Sequence, residues 1–198
     1  PRICINLGAW TFVNKGNGGM VDYDWFYPGM DWTDRSISDV EVVSSYMADL
    51  NVAIRIWKGT HWAFDGIIGY KHDFWKWDES LVEILYSVEG FRDYYEEGDG
   101  SSMIDYEQLF QVPYLGFQAA WRSGDLSLRG YLLYSQWAFA EDKDYHIARE
   151  LHFVETFEGG DFYGLGLSVQ YDINSNWFIG AGLDFQKIPE FTGDMEVT

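Results

Sequence analysis

Tyr163-Gly164-Leu165-Gly166-Leu167-Ser168-Val169-Gln170-Tyr171 decides the class of fold. Odd positions are apolar or aromatic, even positions small or polar, and a tyrosine closes each end. Successive side chains of an extended chain point to opposite faces, so this stretch is a strand with one apolar face and one crowded face. Wound as a helix, the same residues would scatter their apolar groups around the whole circumference.

The pattern repeats in both directions from there. Trp177, Ile179, Ala181, Leu183 and Phe185 alternate with Gly180, Gly182 and Asp184. Upstream, Leu115, Phe117, Ala119 and Trp121 share one parity, as do Trp62, Phe64, Ile68 and Tyr70. Tyr46, Ala48, Leu50, Val52, Ile54 and Ile56 form another stripe, and Ile3, Ile5, Leu7 and Ala9 begin one at the N-terminus. The segment 125–140 is less regular and takes its place from its neighbours. Seven strands are therefore expected, over roughly 2–14, 42–57, 61–78, 105–121, 125–141, 146–171 and 176–189. Lys58-Gly59-Thr60, Arg122-Ser123-Gly124-Asp125 and Asp172-Ile173-Asn174-Ser175-Asn176 read as tight hairpin turns. The connections around 15–41 and 79–104 read as long polar loops, with a third tip near 142–146. Short turns at one end and long loops at the other describe an antiparallel up-and-down meander.

Aromatic residues bracket several stripes, as in the girdles of a transmembrane barrel with an apolar lipid face and a polar interior. A soluble barrel or sandwich with the stripe turned inward has the same periodicity. No apolar run is long enough for a membrane-spanning helix. Cys4 is the sole cysteine of the 198 residues, which leaves no internal disulfide framework. No second domain shows: residues 1–198 read as a single barrel domain.

Charge excludes further classes. Thirty-two acidic against 13 basic residues give −19, the wrong sign for a nucleic-acid binder or an anionic membrane surface. Windows 15–41, 79–107 and 141–161 hold 22 of the acids and 5 of the bases, so −17 of the charge lies at the long-loop rim. Such a rim attracts cationic ligands if it surrounds a groove. Plain solvation is the commoner use of such runs.

Two short constellations could carry chemistry. Asp22 and Asp24 lie two apart in Met20-Val21-Asp22-Tyr23-Asp24-Trp25, and Asp144 and His146 lie two apart in Glu141-Asp142-Lys143-Asp144-Tyr145-His146. In extended chain each pair faces one direction. A carboxylate beside imidazole orients the ring and stabilises its protonated form, which suits a general base. Two more carboxylates opposite could hold a water, one of them keeping a proton. Turn chemistry, solvation or a calcium site could also use an Asp-x-Asp. His61, His72 and His152 read as structural or interfacial, and no Cys/His spacing suggests zinc.

The ordered set of motifs resembles the omptins, outer-membrane proteases of Gram-negative bacteria. It comprises Gly19 to Trp25, Pro28-Gly29, Trp32-Thr33-Asp34-Arg35-Ser36, Gly69-Tyr70, Glu89-Gly90-Phe91-Arg92-Asp93, Pro113-Tyr114-Leu115-Gly116, Tyr134-Ser135-Gln136-Trp137 and Asp142 to His146. The likeness runs from about residue 1 to residue 189. It implies an all-β, antiparallel up-and-down transmembrane barrel with seven of ten strands present. On that reading the domain is incomplete at both ends, with two strands before Pro1 and one after Thr198. An open edge in lipid would leave backbone groups unpaired.

The resemblance also implies an activity: an aspartic-type endopeptidase of the bacterial outer membrane, its site facing the exterior. It would cleave basic peptide or protein substrates next to basic residues. Asp22 and Asp24 match the family's aspartate couple, and Asp144 and His146 its dyad. Asp142 matches the acid that selects a basic side chain before the cleaved bond, and Asp34 an acid beyond it. No metal or other cofactor is implied, but omptins need lipopolysaccharide, bound by basic residues on the outer wall. Two matching positions carry Phe74 and Leu109, which cannot bind phosphate, so lipopolysaccharide dependence is open here, with Lys71, Lys76 and Arg92 as substitutes. A catalytically silent barrel acting as adhesin or channel is the alternative.

Overall fold

The structure is a computed structural model and describes residues 3–147 and 150–197. The start expected for the first strand, at residue 2, lies outside the described residues. The strands are β1 (Ile3–Thr11), β2 (Asn17–Asp24), β3 (Asp34–Lys58), β4 (Trp62–Tyr86), β5 (Tyr94–Glu97), β6 (Ser102–Ser123), β7 (Leu126–His146), β8 (Leu151–Asp172), β9 (Phe178–Lys187) and β10 (Gly193–Val197). All join one antiparallel sheet in the order β1-β3-β4-β6-β7-β8-β10, with β2 on β3, β5 on β4 and β9 on β8.

The ten segments are seven strands, three of them interrupted. β1 covers Tyr46–Ile54 of β3 while β2 covers Asp34–Glu41. β9 and β10 likewise divide β8 between them. The expected loop 15–41 is therefore largely strand, and so are both flanks of the loop 79–104. The tip expected at 142–146 is the last turnless stretch of β7; the connection follows it, after His146. In these hairpins the apolar alternation fades while the ladder continues. Bulges between Ile37 and Ser38, and between Val42 and Ser44, break the parity as well.

The expected apolar stripes face outward. Leu50, Leu132 and Leu165 stay 51%, 60% and 53% exposed in mid-strand. The other face is polar and bonded. Asn6 donates to Asn51 at 2.8 Å, Asn51 to Asp49 at 3.0 Å, and Tyr114 to Asp49 at 2.7 Å. Lys71 donates to Asp73 at 3.1 Å and Gln118 to Asp65 at 3.1 Å, with Arg55 paired to Asp65. A soluble barrel would reverse the two faces; this wall is built for lipid outside and polar contacts within. Tyr114, 2% exposed, lies flat over Gly69, where a Cβ would come within 2.3 Å of its ring. Phe162, Val112, Ala138, Ala53 and Ile67 complete the small interior core around it.

Candidate active site

All the candidate groups gather at the end of the barrel opposite the hairpin at Gly124-Asp125. β7 carries Asp142, Asp144 and His146 on one parity, while Lys143 and Tyr145 take the other. His146 Nε2 lies 3.0 Å from Asp144 Oδ2, both side chains about a quarter exposed. Burial pushes the Asp144 carboxyl up, the His146 charge and hydrogen bond pull it down, and the charge of Asp22 pushes it up again. That mutual effect puts the β2 acid within the field of the β7 couple.

Asp22 and Asp24 sit opposite Ser36 and Asp34 in the β2–β3 ladder, on one face. The Asp22 carboxylate accepts the Tyr23 N–H at 2.9 Å. The Asp24 carbonyl accepts both the N–H and the hydroxyl of Thr33, at 2.7 and 3.1 Å. Asp34 is buried beneath the rim, where its Oδ1 accepts the Ser87 N–H at 3.0 Å. Ser87 Oγ donates to the Thr33 carbonyl at 2.7 Å, and Arg92 stacks 3.2 Å above the Trp32 ring while donating to its carbonyl. The Glu89–Asp93 motif thus clasps the loop after Asp24 and fixes the strand that carries both acids.

Asp142 is 8% exposed. Its Oδ2 accepts the Tyr106 hydroxyl at 2.7 Å, and its buried Oδ1 has no partner. It lies on the wall of a cavity of about 180 Å³ shared with Tyr106, Asp144, His146, Phe153, Glu155 and Met195. Burial first, then the bond to Asp142, pushes the Tyr106 hydroxyl up, so it stays a donor. This cavity joins aromatic walls to acidic groups and adjoins the Asp–His couple.

Four residues beside these groups escaped the sequence reading: Tyr106, Glu155, Met195 and Glu79. The first three share register with the β7 acids, Tyr106 opposite Asp144 and Glu155 opposite Asp142, with Met195 beyond Glu155. Register was the signal, and it needs strand ends that composition does not mark. Glu79 is 2% exposed on β4. Burial, then the charge of Asp144, drives its carboxyl to about 7, with Asp22 adding to the rise and the Ser38 hydroxyl opposing it.

The three cations considered for lipopolysaccharide separate. Lys71 points inward to Asp73, and Arg92 is consumed by the rim clasp with Asp31 and Trp32. Lys76 is ion-paired with Glu107 at 3.0 Å. His72 stacks on Tyr46 and His152 on Tyr145, while His61 contacts the Arg122 carbonyl.

A polar-cored wall with outward apolar stripes, carrying acid and imidazole groups at one end, defines the class: a transmembrane β-barrel. The Omptin family model matches residues 1–198, and the chain belongs to that family. It is 28% identical to the plasminogen activator of Yersinia pestis over 195 residues, 96% of this chain and 61% of that protein. Protease 7 of Escherichia coli (strain K12) is 28% identical over 186 residues, 89% of this chain and 58% of the relative. The chain thus spans about three-fifths of the length of these relatives. The crystal structure of outer membrane protease OmpT from Escherichia coli superposes with a TM-score of 0.86 at 24% identity, covering 99% of this chain and 68% of that one.

Proposed function

We propose that the protein containing this chain is an outer-membrane endopeptidase that cleaves beside basic residues, its site facing the cell exterior. The observation that carries the reading is the 3.0 Å Asp144–His146 contact at the mouth where Asp22 adds its charge. Asp144 holds the ring through one nitrogen and stabilises the imidazolium. The ring nitrogen facing away from Asp144 takes a proton from a water held toward Asp22 and Asp24. The water oxygen attacks the scissile carbonyl, and the imidazolium then returns the proton to the leaving amine. No covalent enzyme intermediate is needed. A Lys or Arg side chain suits the 180 Å³ cavity: Tyr106 and Phe153 face its stem, and Asp142 and Glu155 its charge. The names of the relatives, among them outer membrane protease OmpP, support both activity and location.

The test uses the complete protein in detergent, with and without lipopolysaccharide, and peptides containing Arg-Arg, Arg-Lys or Ala-Ala. Cleavage of the basic peptides, lost in His146→Ala, is expected. Wild type inert in every condition, or His146→Ala as active as wild type, overturns the reading.

A further inference from the structure

Glu79 has no part in the reaction as derived above, yet it is the most buried carboxyl at the mouth. It is 2% exposed, and its Oε1 is buried without a partner. In the ladders it sits between Val40 of β3 and Ile104 of β6. The groups acting on it come from three neighbouring elements. β3 offers the Ser38 hydroxyl; β2 offers Asp22; β7 offers Asp144 with His146 attached. From β6, Tyr106 lies two residues beyond Ile104 and gives its proton to Asp142. No Lys or Arg acts on Glu79 from these elements among the described residues.

We propose that Glu79 is a positioning residue of this site, a third interior carboxyl whose charge sets how tightly the Asp144–His146 couple holds its proton. Glu79, Ile104 and His146 stand in line across β4, β6 and β7, with Asp22 and Asp144 as the other carboxylates of the group. An ionised Glu79 adds a third negative charge beside them, stabilises the imidazolium and withholds the free base until higher pH. Burial favours the neutral acid, since charging it in this pocket lacks water and has the imidazolium alone to offset it. The inference rests on the reading above for its effect on turnover, but the coupling itself does not require catalysis.

The experiment is a titration of the His146 ring by NMR in the complete protein, carrying 13C-labelled histidine. The signal is assigned by its loss in His146→Ala. In Glu79→Gln the His146 midpoint should fall by about half a pH unit or more, as expected for removal of a nearby charge opposite to that of the imidazolium. The acid limb of the kcat/KM–pH profile should move the same way. Glu79→Met, which keeps the volume and removes the charge, should give the same shift. A purely structural Glu79 would lower yield or stability while leaving both midpoints in place. Superposed titration curves for wild type and both variants overturn the inference. A shifted His146 midpoint in a protein that cleaves nothing supports it and sinks the protease reading alone.

Discussion

His146 Nε2 stands 3.0 Å from Asp144 Oδ2 because the two residues share one parity at the end of a single strand. Neither loop folding nor a second element is needed to form the pair. Asp22 must come from another strand, and the Trp32–Arg92 clasp holds that strand's exit in place. His146→Ala, Asp144→Asn and Asp22→Ala should each lower kcat/KM more than about a hundredfold. Their unfolding midpoints should stay near wild type, since each group is partly solvated. Peptide cleavage and urea unfolding on the same preparations check both statements.

Substitution at Asp142 tests binding apart from chemistry. Its unpartnered buried oxygen faces the cavity beside the couple. Asp142→Asn should cut kcat/KM for Arg-containing peptides by roughly 30-fold or more, as loss of one partner of a desolvated ion pair does. An Ala-containing peptide should barely respond. Tyr106→Phe removes one hydrogen bond to Asp142 and should cost only about fivefold. Equal losses for both peptides in Asp142→Asn would assign it to folding instead of selectivity.

The lipid-facing half of most strands was legible because one face is purely apolar there: Leu115, Phe117, Leu165 and Leu167 alternate without exception, while 125–140 was placed only by its neighbours. The rim was not. Asp34 to Glu41 pair with β2 although their polarity follows no simple period, since a bulge within the segment shifts the parity. Asp144 and His146 were found because their spacing of two is itself strand geometry. Glu79 lay inside an acidic run, Asp78-Glu79 with Glu83 beyond, and nothing in that run distinguishes an interior carboxyl from a solvated one. Only the ladder, which turns Glu79 inward opposite Val40, makes the distinction. Asp34, matched by motif to substrate binding, lies beneath the rim with one oxygen engaged by Ser87.

Leu132 tests the outward stripe. It pairs with Phe117 on β6 and Leu165 on β8, and all three are exposed. Leu132→Arg should destabilise the barrel in phospholipid vesicles by about 2–4 kcal/mol, the cost of a cation at mid-membrane depth. The same substitution at Leu126, on the same face but beside the short turn, should cost less than about 1 kcal/mol. Urea titrations of folding into vesicles read both. Equal small costs would mean that the stripe does not meet hydrocarbon.

Glu79 also gives stability a pH dependence whose sign is fixed. Its folded carboxyl is raised from 4.5 to about 7, chiefly by burial, so the folded state prefers the protonated form. The stability tied to that proton is fully present below the unfolded value and is lost as pH rises through about 7. By linkage the loss amounts to roughly 3 kcal/mol once the group is ionised in both states. Gln mimics the neutral acid at every pH. Glu79→Gln should therefore match wild type near about pH 4 and exceed it by up to that amount near about pH 8.5. Urea unfolding at the two pH values decides the matter, and a variant less stable than wild type at the higher pH would show that the ionised carboxylate is a favourable member of the rim.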